Sequence, residues 1–153
     1  MIVISPWSRS FEETLNAKNY PYWQEVVDGI KQRNIEIVQV GVAGEEKLKN
    51  VDRYEFNQPF EHLEKLLQIC DIWIGIDNFF QHFNHATKQK RGIVLWGKSN
   101  PKIFGYSYNL NLLRAERFLR HDQFGLWQTE KYVPEAFVRS TLVLSCVDRE
   151  LDL

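Results

Sequence analysis

The chain has 153 residues, with 19 basic and 20 acidic side chains and a formal net charge of −1. That length fits one domain with a real core, and the balance of charge removes any global electrostatic case for nucleic acid, a membrane surface or an acidic partner. Local basic spots at Lys88, Lys90 and Arg91, and at Arg114, Arg117 and Arg120, read as solvated surface.

Ile2-Val3-Ile4 predicts a first strand that ends in the loop Ser5-Pro6-Trp7-Ser8. A chain that opens on a strand leaves no room for a signal peptide, so a cytoplasmic protein is expected. Residues 9–20 are polar and irregular. Pro21 can open a helix, and Trp23, Val26, Val27 and Ile30 then fall at helical spacing on one face. Asn34 is a stop. Residues 35–40 are rich in β-branched side chains and predict a second strand, followed by the turn Gly41-Val42-Ala43-Gly44 and the acids Glu45 and Glu46.

A weak third strand is expected near residues 54–56. A helix then begins at Pro59, capped by Asn57 or Gln58, with Phe60, Leu63, Leu66, Leu67 and Cys70 as its inward stripe. Residues 72–76 predict a strand, 79–87 a helix and 93–96 another strand. Residues 97–101 are turn formers. The stretch 103–133 is aromatic and basic and shows no clear period, apart from a short strand around residues 109–112. A last helix follows Ser140, with Leu142, Val143, Cys146 and Val147 facing inward. The two cysteines, Cys70 and Cys146, read as buried thiols on apolar faces.

Strands alternating with helices at this spacing predict an α/β fold. The expected form is a single Rossmann-like domain over residues 1–153, a parallel sheet with helices on both faces. Open sheets of that kind bind ligands at the carboxyl ends of their strands. Residues 70–82 therefore carry the most information. A strand runs into Gly75-Ile76-Asp77-Asn78 and straight on into a helix, which sets an acid and free N–H groups at that edge, where a phosphate is favoured. Asp77 and Asn78 also suit a plain helix N-cap.

Other chemistry is thin. His82 and His85 form an i, i+3 pair without a third ligand, so no metal site is expected. No dinucleotide glycine fingerprint, nucleophile elbow or Asp-x-Asp pair is present. Lys18, after the first strand, could meet a phosphate, and Glu45 or Glu46 stands where α/β nucleotide sites place an acid against ribose hydroxyls.

Taken in order, these blocks resemble the C-terminal, donor-binding half of glycosyltransferase family 9, the heptosyltransferase-like enzymes of the GT-B fold. Ser5-Pro6-Trp7-Ser8 looks like the loop after that domain's first strand. Lys18-Asn19-Tyr20-Pro21-Tyr22-Trp23 is similar to the family's Lys-x-Trp-Pro-x-x-Trp stretch. Residues 35–46 look like its strand, glycine-rich turn and acid. Residues 70–82 look like its strand followed by Gly-x-Asp-Ser-Gly-x-x-His. Residues 93–101 look like the next strand and its Phe-Gly-x-Thr-x-Pro loop. The blocks span roughly residues 1–105 in consistent order.

The resemblance implies a nucleotide-activated sugar as substrate, with no further cofactor and no metal. Lys18 would meet phosphate and Glu45 or Glu46 the ribose. Asp77, Asn78, Phe79 and Phe80 would cradle the diphosphate through their backbone, and His82 would support that turn. Two departures stand out. Asn78-Phe79 replaces Ser/Thr-Gly, and glycine is what lets a backbone approach a phosphate closely. The chain also has the length of one GT-B half, so acceptor and general base are expected from a second copy, a separate acceptor-binding subunit, or residues 103–133, where Glu116 and Asp122 are candidate bases by elimination.

The expected function is a small glycosyltransferase, or its donor-binding subunit, that passes a sugar to a hydroxyl acceptor. Compact relatives of this kind look like those of phages and environmental bacteria, which would make the acceptor a polysaccharide or a hydroxymethylated DNA base. The alternatives are a non-catalytic module binding a nucleotide or nucleotide sugar, and a structural protein on the same fold.

Overall fold

The computed structural model describes residues 1–9 and 16–153. Part of the irregular 9–20 stretch, residues 10–15, thus lies outside the described residues. The elements run β1 (Ile2–Ser5), α1 (Trp23–Lys31), β2 (Ile37–Gly41), β3 (Arg53–Phe56), α2 (Phe60–Ile69), β4 (Ile72–Ile76), α3 (Phe79–Thr87), β5 (Gly92–Trp96), α4 (Pro101–Phe104), β6 (Leu110–Leu113) and α5 (Ser140–Glu150). Three short 3₁₀ turns, at Glu116–Phe118, Trp127–Thr129 and Pro134–Ala136, join β6 to α5.

The strands form one six-stranded sheet in the order β3-β2-β1-β4-β5-β6, and every neighbouring pair is parallel. The chain builds outward from β1 to β3, then returns through α2 to place β4 on the other side of β1. Ile2 pairs with Ile37 on one side and Ile72 on the other. The strand order therefore reverses between β1 and β4, the crevice where open α/β sheets hold ligands.

Alternation along the strands assigns the two faces. Ile2, Ile4, Ile72, Ile74 and Ile76 point to a core completed by Trp23, Val26, Val27 and Ile30 of α1 and Val143, Cys146 and Val147 of α5. Val3, Val38, Trp73 and Val94 point to a second core with Leu66 and Leu67 of α2 and Phe80 and Phe83 of α3. Each fully buried side chain of this size contributes about 1.5–3 kcal/mol. Trp73 fits because its partner across the ladder is Gly92. A Cβ there would lie 2.1 Å from the indole.

Most expected elements are present, with local shifts. The helix at Pro59 is not capped by Asn57 or Gln58: Pro59 itself is the N-cap residue. Asn57 instead adopts a left-handed φ of 52° and turns the chain after β3. Phe60, expected in the inward stripe of α2, is 64% exposed. The strand expected at 109–112 is β6, at the outer edge of the sheet. Cys70 and Cys146 are buried free thiols, and burial pushes both up from the ordinary thiol range.

Candidate functional site

Three connections meet at the carboxyl edge around β1. Trp23 Nε1 donates to the Pro6 carbonyl at 3.0 Å, and the Ser8 N–H donates to Asn19 Oδ1 at 2.8 Å, which fixes the loop after β1 against the start of α1. Trp7 Nε1 donates to the Glu46 carbonyl at 2.8 Å and ties the same loop to the turn after β2.

Asn78 joins that loop to α3. Its Oδ1 accepts the Phe80 N–H at 3.0 Å, an N-cap bond, while its Nδ2 lies 3.0–3.2 Å from Ser5 Oγ and the carbonyls of Ser5 and Trp7. The N-cap expected at residues 77–78 is thus Asn78. One amide of the first turn of α3 is already satisfied by the protein.

Between these connections lies a cleft of about 1200 Å³. Its walls are the loop after β1, Val40 through Glu46, Asn57 and Gln58 after β3, and Asn78 to Phe80 with Phe60 and Leu63. Of the expected donor-site residues, the structure brings Glu45, Glu46, Asn78, Phe79 and Phe80 to this one cleft. They come from segments on both sides of the strand-order reversal.

Their side chains differ in what they offer. Glu45 Oε2 accepts the Val42 N–H at 3.2 Å, and Gly41 makes room for it, since a Cβ there would lie 2.1 Å from the carboxylate oxygen. Burial pushes the Glu45 carboxyl above the usual range, with the Val42 hydrogen bond opposing. Glu46 is exposed and takes part through its carbonyl, which also accepts from Gln39 Nε2 at 2.8 Å. Phe80 turns its ring into the core, edge-on to Trp73. Phe79 leaves its ring 54% exposed.

Lys18 and Asp77 are beside the cleft rather than in its wall. Asp77 is 6% exposed. Its Oδ2 lies 2.9 Å from Lys18 Nζ, and its Oδ1 accepts from Gln81 Nε2 at 3.0 Å. Lys18 Nζ also sits 4.6 Å from the Trp127 ring, and the Arg120 guanidinium stacks 4.1 Å from the same ring. Glu130 then bridges Arg120 at 3.3 Å and Lys98 at 2.7 Å. The stretch with no readable period therefore closes over the ends of β4 and β5. Trp127 is its centre, and nothing in the local sequence pattern marked it.

Three expected positions fall elsewhere. His82 is exposed and its Nδ1 lies 2.8 Å from the Tyr106 hydroxyl, outside the cleft wall. The helical rotation of about 100° per residue turns position 82 away from the face shared by 79 and 83. Glu116 is exposed and paired with Lys102 at 3.2 Å. Asp122 caps a turn by accepting the Phe124 N–H at 3.0 Å. Neither lines the cleft. Among the described residues, no cluster of three or more His, Cys, Asp or Glu is arranged to hold a metal, and no helix is long and apolar enough to cross a membrane.

No protein-family model matches the chain, and no curated protein matches it. Among solved structures, it is similar to the dodecameric iron-containing heptosyltransferase TibC, determined in complex with ADP-D-beta-D-heptose. The two are 14% identical and superpose with a TM-score of 0.72 over 99% of this chain and 45% of that one. This chain thus spans less than half the length of that enzyme. At such identity the likeness is one of fold alone, and with the strand order it gives a Rossmann-like α/β domain.

Proposed function

We propose that the chain is a small glycosyltransferase, or the donor-binding part of one, that takes a nucleotide-activated sugar and transfers it to a hydroxyl acceptor. The observation that carries this reading is the cleft at the β1/β4 reversal, walled by the acidic turn after β2 and the start of α3, in a fold like that of a heptosyltransferase. The nucleoside lies along the turn after β2, with Glu45 or Glu46 against the ribose. The diphosphate lies over the start of α3, where the helix dipole and the backbone from Asp77 to Phe80 meet its charge. Lys18 supplies a cation within reach of that turn, and the reading needs no metal.

Transfer also needs a base to take the acceptor proton. Glu116 and Asp122 lie outside the cleft wall. The acceptor is a polysaccharide or a hydroxymethylated DNA base, and its binding site and the general base are then supplied by another copy of this chain or by a separate acceptor-binding subunit in the cytoplasm. That same observation favours the second reading, a module that binds a nucleotide sugar without turning it over.

Thermal unfolding against a panel of nucleoside diphosphates and nucleotide sugars tests both. A ligand at 100 times its Kd stabilises by about 2.7 kcal/mol. A rise in Tm with at least one of them is expected, and no rise with any sinks both readings. Donor hydrolysis or transfer that disappears in Asp77→Ala separates the enzyme from the binding module.

A further inference from the structure

Helices α2 and α3 each begin with a phenylalanine, and the two rings meet in the wall of the cleft. Phe60 is 64% exposed and Phe79 54% exposed. Their centroids are 5.6 Å apart and their planes 23° from parallel. Phe83, only 8% exposed, packs against both, at 5.4 Å from Phe60 and 5.5 Å from Phe79. The buried ring therefore supports the two exposed ones and restricts their rotamers.

Two large rings left side by side in water are costly, and a ligand that covers them recovers that burial. Leu63 and Val40 extend the apolar wall, and the polar groups of Asn57 and Gln58 stand beside it in the same cleft. Asn57 uses its Oδ1 on the Ala43 N–H at 3.0 Å. A flat apolar face with amide groups nearby suits a ligand with a π-face and a hydrogen-bonding edge.

We propose that Phe60 and Phe79 form the stacking platform for the nucleobase of the bound nucleotide. The inference rests on the nucleotide reading of the cleft and adds the base subsite to it. It also gives a role to the bulky residue at the start of α3. The ring costs close backbone approach to a phosphate but supplies a base-stacking face next to the helix N-terminus.

The test is calorimetric titration of ADP, GDP, UDP and CDP into the wild-type chain and into Phe60→Ala, Phe79→Ala and Phe79→Tyr. Both rings are exposed, and circular dichroism checks that each variant is folded. Each alanine variant is expected to weaken the bound nucleotide about 10-fold, the size of one base–aromatic stack, while Phe79→Tyr stays within about 2-fold of wild type. Unchanged affinity in the alanine variants overturns the inference while the nucleotide reading stands. So does a Phe79→Tyr loss as large as that of Phe79→Ala, and so does a changed oligomeric state with unchanged affinity, which makes the rings a contact between copies. If the wild type binds none of the four and no nucleotide sugar of the thermal panel, the nucleotide reading itself fails and takes the platform with it.

Discussion

Lys18 Nζ lies 2.9 Å from Asp77 Oδ2, joining the connection after β1 to the turn after β4 at the point where the strand order reverses. The pair is largely buried, with side-chain exposures of 19% and 8%. It holds together the two loops that flank the cleft, and it keeps the lysine charge paired.

Removing one partner of a buried pair leaves the other charge uncompensated. Asp77→Ala is expected to destabilise the fold by about 2–3 kcal/mol, reduced from the fully buried case because Lys18 keeps some solvent. Asp77→Asn, which retains an acceptor for Gln81, should cost less. Urea denaturation measures both, and equal costs for the two would show that the lost charge pairing, and not the Gln81 hydrogen bond, accounts for the destabilisation.

Asn78 acts at both ends of its amide. Asn78→Ala loses the N-cap bond and the ties to Ser5 and Trp7, at an expected cost of about 2 kcal/mol. Asn78→Asp keeps the capping oxygen and loses only the ties. Amide exchange at Phe80 reports on the cap, so faster exchange in the alanine variant and near-normal protection in the aspartate variant are expected. Equal exchange in both would contradict the division of roles.

Burial raises the folded-state pKa of Glu45 above its unfolded value. The native state therefore accommodates the ionised carboxylate less well, a penalty present above the raised pKa and lost as pH falls through it toward the unfolded value. Glu45→Gln should melt higher than wild type at about pH 7.5, and the difference should vanish by about pH 4. Thermal melts across that range check it. A gap that widens on acidification would mean the sign is wrong.

The Trp73–Gly92 pair predicts a purely structural defect. A methyl at 92 would sit 2.1 Å from the indole, and the ring is buried with no open side. Gly92→Ala should cost about 1–3 kcal/mol as overpacking, with nucleotide affinity unchanged where the variant is folded. Wild-type stability in this variant would show that the ring can move aside.

Much of the fold was legible because it follows from local periodicity. Isoleucines alternate with Val3 along β1 and with Trp73 and Gly75 along β4 and so assign both faces of the sheet, and the spacing of Trp23, Val26, Val27 and Ile30 defines α1 without any partner. The turn at residues 77–78 could be read for the same reason, since an Asn before a helix satisfies an N–H two residues on. Those are properties of neighbours in sequence, and the sequence by itself determined them.

What sits opposite what was decided only in three dimensions. Phe60 has the spacing of an inward residue, yet it faces solvent beside Phe79 because α2 and α3 lie side by side on one face of the sheet. His82 follows the same turn as Phe79, but the helical rotation carries it to Tyr106. Trp127 lies in a stretch with no period, and only chain closure over β4 and β5 brings it to Lys18. Hydrophobic period fixes which way a side chain points from its own element. Strand order and loop path fix which distant side chain it meets, and the cleft is made entirely of such meetings.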